Sequence, residues 1–244
     1  LLKGNNPFYG KLLAKISPGE IGREPENVLQ SLPIGDKRFL NEHRREIAVP
    51  LAGRPYQQKR TGGSTGEPFR YLIDLESVSE SWAFILWCWT QYAGYRPGDP
   101  YLTVAGSSLA AGGQRWKVAV YHMLQNNRLI AGRTIRPGMA LPAGGASRAR
   151  LLFGYPSLIL HLLDTAPGFF EGHRLGAVFT TSEQLLPAVR AEIESRLQAT
   201  VYDMYGANDG GLISCECGEH RGFHYDPLNC YAESVPAEDG GREL

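Results

Sequence analysis

Residues 61–66 read TGGSTG, a run of three glycines and three hydroxyl-bearing residues. Glycine lets the backbone turn tightly and approach a bound molecule closely. Successive backbone N–H groups can surround an anion, and hydroxyl groups add further hydrogen-bond donors. The loop is therefore predicted to hold phosphate oxygens, although no Gly-Lys-Ser/Thr sequence closes it as in a Walker A loop. Its members are Thr61, Gly62, Gly63, Ser64, Thr65 and Gly66.

Two other interpretations fit this glycine loop. A flexible, solvent-exposed hairpin or linker has the same composition. The letters GGSTG also match the G-x-S-x-G pattern of hydrolases, in which the nucleophile follows a strand and precedes a helix. The residues before the loop, GRPYQQKRT, are polar, and those after it are strand-like. This context does not favour a hydrolase nucleophile.

A second group of reactive side chains is the cysteine- and histidine-rich segment SCECGEHRGFHYDPLNC, residues 214–230. Thiolate and imidazole groups at such close spacing suit a tetrahedral Zn²⁺ ion, and four protein ligands would make the ion structural. If the segment is a hairpin turning at residues 218–222, His224 lies beside Cys217. Free thiols and surface histidines are the alternative interpretation. The five candidates for four ligand positions are Cys215, Cys217, His220, His224 and Cys230.

The elements that position these residues alternate between strand and helix. Apolar periodicity predicts helices over residues 6–16, 76–92, 158–163 and 185–197, and strands over 101–105, 151–153, 177–181 and 200–205. Such alternation is typical of βαβ units, so we expect an α/β fold with a parallel sheet. Ligands of such sheets bind at the carboxyl ends of the strands. Those ends read GYPS, TSEQ and YGAND.

Composition narrows the class of protein. The 244 residues are 43% hydrophobic, which is enough for a sizeable core. The 25 basic and 25 acidic residues balance, so charge gives no reason to expect nucleic acid or an anionic membrane as the main partner. No apolar run reaches the length of a membrane-spanning helix and no signal peptide is recognisable, so we expect a cytoplasmic protein.

The order of residues resembles a known family. TGGSTGEP, residues 61–68, resembles the phosphate loop of the adenylate-forming (AMP-binding) superfamily, and VYDMYGAND, residues 201–209, resembles its second signature. Between them, TTSEQLLPAVRAEIESRL resembles the segment that carries the adenine-contacting loop. The GYPS loop, the DMYG letters and the opening PFYGKLLA are most similar to the branch of phenylacetate-coenzyme A ligase, coenzyme F390 synthetase and CapK-like proteins.

This resemblance implies ATP- and Mg²⁺-dependent activation of a carboxylic acid, an aromatic acid in this branch. The carboxylate attacks the α-phosphate, and a thiol such as coenzyme A then takes the acyl group from acyl-AMP. Residues 1–244 would form the N-terminal adenylation domain, incomplete at the C-terminus, with parallel βαβ units in mixed sheets and a possible embedded zinc site at residues 215–230. The alternative is a non-catalytic, zinc-stabilised nucleotide-binding or interaction domain that kept the fold. The acid, the acceptor thiol and the oligomeric state stay open.

The resemblance also implies roles for individual residues. The glycine loop would hold the β- and γ-phosphates, with Thr65 acting in catalysis. Asp209 would act in catalysis by holding Mg²⁺, for which a carboxylate oxygen is a suitable ligand; a helix cap is its alternative role. Tyr205 would stack on the adenine, unless it is an ordinary strand aromatic. The remaining adenine-site residues would be Ser182, Glu183, Gln184, Asp203, Met204 and Gly206.

Three departures from the family pattern would weaken catalysis without abolishing nucleotide binding. Phe69 and Arg70 stand where the family often has Lys after the loop proline, and Asn208 replaces the usual hydroxyl residue. Asp209 is one methylene shorter than the usual Glu.

Overall fold

A computed structural model describes residues 6–48, 53–60, 70–106, 115–141, 145–207, 212–227, 230–236 and 242–243. The chain divides into two compact units, Leu1–Ser79 and Glu80–Leu244. The glycine loop, residues 61–66, lies outside the described residues, as do Asn208 and Asp209. The roles predicted for these residues therefore rest on the sequence alone.

The first unit contains short helices, and side-chain caps fix the starts of three of those described. Asn6 Oδ1 accepts hydrogen bonds from the N–H groups of Phe8 and Tyr9, and Pro7 occupies the first helical position, where no N–H is needed. The predicted helix over 6–16 is confirmed, but it ends at Leu13. The helices are Pro7–Leu13, Pro18–Arg23, Pro25–Gln30, Lys37–Glu42 and Arg44–Ile47.

The glycine loop connects two antiparallel strands of the first unit. Strand β1, Tyr56–Arg60, pairs with β2, Arg70–Asp74, and the last pair of the ladder is Arg60 with Arg70. A hydrolase nucleophile elbow requires a helix after the loop, and a strand follows here, so this interpretation is wrong. The sequence predicted only the downstream strand, because YQQKR has no apolar alternation.

The second unit is built on a seven-stranded sheet in the order β4-β3-β5-β6-β7-β8-β9. Pairing is parallel from β4 to β7 and antiparallel from β7 to β9. The predicted α/β fold, with parallel βαβ units and mixed pairing, is confirmed. The strands are β3 Tyr101–Ala105, β4 Asn127–Ala131, β5 Leu151–Gly154, β6 Ala177–Thr180, β7 Thr200–Ala207, β8 Leu212–Glu216 and β9 Phe223–Tyr225.

Helices precede and connect the strands of this sheet. The described helices are Leu75–Ala93, which begins in the first unit, Arg115–Leu124, Pro156–Thr165 and Pro187–Leu197. Short 3₁₀ turns lie at Gly132–Thr134 and Gly145–Arg148, and a two-residue ladder joins β10, Val235–Pro236, to β11, Arg242–Glu243. Within the described ranges, no helix combines the length and the hydropathy needed to cross a membrane.

Strand alternation divides the apolar residues of the second unit into two clusters. On β5, Leu152 belongs to one cluster and Leu151 to the other, and on β6 Val178 and Phe179 divide in the same way. Successive side chains of a strand point to opposite faces, so the sheet is covered on both sides, as parallel sheets usually are. Trp89 is fully buried in the second cluster.

The strand order reverses between β3 and β5, since β4 lies on one side of β3 and the later strands lie on the other. Gly154 ends β5 at this point, and a Cβ there would lie 2.2 Å from the Val104 carbonyl oxygen. The Tyr155 N–H donates to the same oxygen at 3.0 Å. Glycine is therefore required for the close approach of β5 to β3. Crevices at such reversal points commonly receive ligands.

Candidate functional site

The carboxyl ends of β5, β6 and β7 are joined by hydrogen bonds. The Thr181 N–H donates to the Gly154 carbonyl oxygen at 3.1 Å, which connects the ends of β5 and β6. The Thr180 hydroxyl donates to Asp203 Oδ1 at 2.7 Å, which connects β6 to β7. Since these strands are parallel and in register, the segments GYPS, TSEQ and DMYG lie at one edge of the sheet.

The TSEQ segment presents the predicted residues Ser182, Glu183 and Gln184 as exposed side chains. Ser182 has a φ of 70°, a left-handed conformation that is uncommon for residues other than glycine. Such backbone conformations are concentrated at ligand sites and switch regions.

The Glu183 carboxylate caps a helix. Its Oε2 accepts a hydrogen bond from the Ser157 N–H at 3.0 Å, and its Oε1 accepts one from the Ser157 hydroxyl at 2.8 Å. Ser157 lies in the first turn of the helix Pro156–Thr165, where N–H groups have no partner within the helix and negative charge is favourable. The carboxylate therefore fastens the GYPS segment to the TSEQ segment.

Strand β7 presents its predicted residues to different environments. The Tyr205 ring is 47% exposed, and its nearest aromatic partner among the described residues is Phe223, with the ring centroids 6.4 Å apart. Met204 is only 4% exposed and belongs to the second apolar cluster. The Met204 side chain therefore packs in the core, and the backbone is the part of this residue left to contact a ligand. Gly206 is exposed and Asp203 is half-buried.

A buried charged network, which no sequence pattern predicted, supports the same strand. Glu216 is 7% exposed, and its Oε2 accepts hydrogen bonds from Arg190 Nη2 at 2.6 Å and from the Asp203 N–H at 3.0 Å. The Nδ1 atom of His220 lies 3.2 Å from the same oxygen. Arg190 also donates to the Val201 carbonyl oxygen. A helix, two strands and a turn thus meet at one carboxylate.

The pKa values of the two carboxylates in this network are shifted in opposite directions. Burial alone would raise the pKa of Glu216, but hydrogen bonds from the Asp203 N–H, Arg190 and His220 outweigh it and lower the pKa below its ordinary value. Burial raises the pKa of Asp203, and the hydrogen bond from Thr180 only partly offsets that rise. The partners of Glu216 therefore favour its charged form, whereas burial of Asp203 disfavours the charged form of that residue.

The cysteine- and histidine-rich segment forms a hairpin, but its register differs from the predicted one. His224 on β9 lies opposite Cys215 on β8, not beside Cys217, because the connection spans residues 217–222 after Glu216 pairs with Phe223. Cys215 is fully buried, and the Cys88 thiol together with burial raises the pKa of its thiol. Cys88 is buried as well.

The zinc prediction depends on four ligands approaching one point. In the described residues, which include all five candidates, no three His, Cys, Asp or Glu side chains are close enough to share a metal ion. Cys215 directs its thiol to the Glu216 carbonyl oxygen instead, at 3.3 Å. The described arrangement does not fit a tetrahedral zinc site, and zinc stays a prediction from the sequence.

A groove of about 730 Å³ in the first unit is lined by charged side chains, including Arg44, Arg45 and Arg70. Its two carboxylates, Glu42 and Glu46, form ion pairs with basic residues outside the lining. The groove is thus polar and basic, whereas pockets for small organic ligands are mostly apolar. It does not have the lining expected of an acyl-chain pocket.

Comparison with solved structures identifies proteins of similar fold. One is 2-hydroxyisobutyryl-CoA ligase in an open conformation with 2-HIB-AMP and CoA, at a TM-score of 0.60 and 20% identity, covering 93% of this chain and 54% of that one. The postadenylation state of this ligase with R3-HIB-AMP gives a TM-score of 0.56 at 18% identity, covering 93% and 52%. No protein-family model and no curated protein matches the sequence.

These similarities establish the fold of the chain. It is the fold of the N-terminal domain of adenylate-forming enzymes, as the sequence predicted, and the chain spans about half of the length of the ligases it matches. At 18–20% identity the likeness reaches no further than the fold. The phenylacetate-coenzyme A ligase branch stays a prediction from the sequence motifs.

We expect Glu183→Ala to destabilise the second unit in the absence of any ligand. The substitution removes the acceptor for two hydrogen bonds at a helix N-terminus, a loss that costs about 0.5–2 kcal/mol for capping side chains. Urea unfolding of both proteins measures the difference. Glu219→Ala, at an exposed glutamate in the β8–β9 turn, is the control. An unchanged free energy of unfolding in Glu183→Ala would contradict the capping role.

Proposed function

We propose that the chain belongs to an AMP-forming acid–thiol ligase of the adenylate-forming superfamily. In this proposal ATP and a carboxylic acid react to give acyl-AMP and pyrophosphate, and a thiol such as coenzyme A then takes the acyl group. The exposed Tyr205 ring at the carboxyl end of β7 carries the proposal. A large aromatic ring left half-exposed, at the same sheet edge as the left-handed Ser182 backbone, suits stacking on a nucleotide base.

Different residues are proposed to contact the base and the phosphates of ATP. The TSEQ segment and β7 would form the adenine site, with Tyr205 on the ring, and Ser182 and Gln184 at its edge. The glycine loop would hold the β- and γ-phosphates through its N–H and hydroxyl groups. Thr65 would contribute directly to the reaction from this loop. Binding ATP and the acid side by side would make attack of the carboxylate on the α-phosphorus effectively intramolecular.

Mg²⁺ is proposed at Asp209, whose carboxylate oxygen suits this ion. When bound, the ion would neutralise phosphate charge as pyrophosphate leaves. The same stabilisation can come from N–H and hydroxyl donors aimed at the developing charge, a role that suits the glycine loop.

The acid is proposed to be aromatic, on the resemblance to the phenylacetate-coenzyme A ligase branch. The GYPS segment is the part of the sheet edge proposed to face it, because this segment follows β5 at the reversal of strand order. The ligase of similar fold is named for 2-hydroxyisobutyrate, an aliphatic hydroxy acid. A panel of acids must therefore contain both kinds.

The alternative is a non-catalytic, zinc-stabilised nucleotide-binding or interaction domain. The altered positions Phe69 and Asn208 favour this alternative, and the complete glycine loop favours the enzyme. The described residues give the alternative no assembled set of zinc ligands. A domain that only binds nucleotides would still bind ATP, so it separates from the enzyme only in a test that requires an acid.

We expect Ser64→Ala combined with Thr65→Ala to weaken ATP binding by about a hundredfold or more. Hydrogen bonds to charged groups contribute about 1.5–3 kcal/mol each, and the double variant removes two hydroxyl donors. Isothermal titration calorimetry with Mg²⁺ and ATP measures the change. The matched control is Ser79→Ala with Thr90→Ala, whose hydroxyls bond to carbonyls of their own helix. Equal affinity in both double variants would refute the phosphate role of the loop.

We expect Tyr205→Ala to weaken ATP binding by about five- to hundredfold and Tyr205→Phe to change it little. Stacking of a base on an aromatic ring contributes about 1–3 kcal/mol, and the phenyl ring retains it. The same titration reports both affinities. Tyr56→Ala, at a similarly exposed tyrosine of the first unit, serves as the control. Unchanged affinity in Tyr205→Ala would show that Tyr205 is an ordinary strand residue.

A further inference from the structure

Strand β7 changes its pairing at Asp203. Parallel pairing with β6 extends to the pair Thr180 and Asp203, and antiparallel pairing with β8 runs to the pair Met204 and Cys215. At this junction the Asp203 N–H donates to a side chain, the Glu216 carboxylate, at 3.0 Å. The carboxylate thus accepts the hydrogen bond that a strand carbonyl would otherwise accept, at the residue where the pairing of β7 passes from β6 to β8.

Two buried side chains of β8 bind the backbone of β7 on either side of Met204. Glu216 binds the Asp203 N–H, and the Ser214 hydroxyl donates to the Tyr205 carbonyl oxygen at 3.1 Å. Ser214 is 3% exposed and Glu216 is 7% exposed, so both hydrogen bonds are largely shielded from water. The backbone that carries Tyr205 is therefore fixed from β8 at two points.

The Glu216 carboxylate is itself held in place by Arg190. The Arg190 guanidinium donates to Glu216 Oε2 at 2.6 Å and also to the Val201 carbonyl oxygen, so it ties the helix Pro187–Leu197 to β7 and β8. Charge-assisted hydrogen bonds of this kind are short and about twice as strong as neutral ones. A buried carboxylate keeps its charge only when such partners surround it.

The Asp203 side chain is fixed as firmly as its backbone. Its Oδ1 accepts hydrogen bonds from the Thr180 hydroxyl at 2.7 Å and from the Met204 N–H at 3.1 Å. Asp203 and Tyr205 are two residues apart on one strand, so their side chains point to the same face. An anchor at Asp203 therefore also sets where the Tyr205 ring lies.

We propose that Glu216, clamped by Arg190, is a positioning residue that orients Tyr205 for stacking on the nucleotide base. This inference rests on the proposed function, in which Tyr205 contacts adenine. In this proposal Glu216 does not contact the nucleotide. It acts through the Asp203 backbone, so its loss displaces the base platform and leaves the phosphate-binding loop intact.

The test compares ATP with tripolyphosphate, which carries the phosphates without the base, by competition and calorimetry on the whole chain. We expect Glu216→Ala to weaken ATP binding about tenfold and to leave tripolyphosphate binding within about twofold. Glu216→Gln keeps an acceptor oxygen for the Asp203 N–H, so it should recover most of the ATP affinity. If Glu216→Ala does not fold, Arg190→Met replaces it in the comparison. Asp164→Asn is the control. It breaks an exposed ion pair with Arg196, which lies on the same helix as Arg190.

Amide hydrogen exchange without ligand provides an independent readout. We expect Glu216→Ala to accelerate exchange at residues 203–205 and to leave residues 151–154 of β5 unchanged. Wild-type ATP affinity in a folded Glu216→Ala variant, or an equal loss of ATP and tripolyphosphate binding, would overturn the inference. If the wild-type chain binds neither ligand, the proposed function fails. The exchange pattern then still shows whether Glu216 anchors β7.

Discussion

The parallel register of β5, β6 and β7 is the constraint on which the rest of the second unit depends. Leu151, Ala177 and Thr200 begin their ladders side by side, so the strands also end at one edge. This arrangement is possible only because both faces of the sheet are covered by apolar clusters, since parallel strands need helices or other layers on both sides. Whatever chemistry the unit performs is assembled where these three strands end.

Hydrogen bonds from polar side chains fix the loops at that edge relative to one another. Glu183 fastens one loop to a helix start, Thr180 fastens β6 to the Asp203 carboxylate, and Glu216 fastens the Asp203 backbone to β8. Each contact joins elements more than twenty residues apart or on different strands. Because buried polar groups are costly when unpaired, such contacts specify one arrangement of the loops. The left-handed Ser182 backbone and the half-exposed Tyr205 ring lie between these anchor points along the chain.

Local patterns predicted the elements well. The apolar runs LLF, AVFT and TVY identified β5, β6 and β7, and the four-residue spacing from Leu185 to Leu197 identified the helix that follows β6. Strand β1 was missed because YQQKR carries no alternation, and pairing with β2 decides its conformation. Alternation alone places Met204 opposite Tyr205, so the burial of Met204 was accessible from the sequence.

The long-range contacts that shape the site could not be predicted from local sequence patterns. Glu183 and Ser157 are 26 residues apart, as are Arg190 and Glu216, and no periodicity marks either pair. The register of the β8–β9 hairpin was also wrong by two residues at Cys215. A six-residue connection leaves several registers open, and core packing of Cys215 selects one of them.

Acid-dependent exchange of labelled pyrophosphate into ATP reports directly whether a protein with this chain forms acyl-AMP. The measurement uses a protein that contains this chain, with Mg²⁺ and a panel of aryl acids, short-chain acids and 2-hydroxyisobutyrate. Acid activation predicts exchange that requires one class of acid, with aryl acids the most effective. Binding of ATP without exchange for any acid of the panel would contradict acid activation and leave a nucleotide-binding domain that has lost the chemistry.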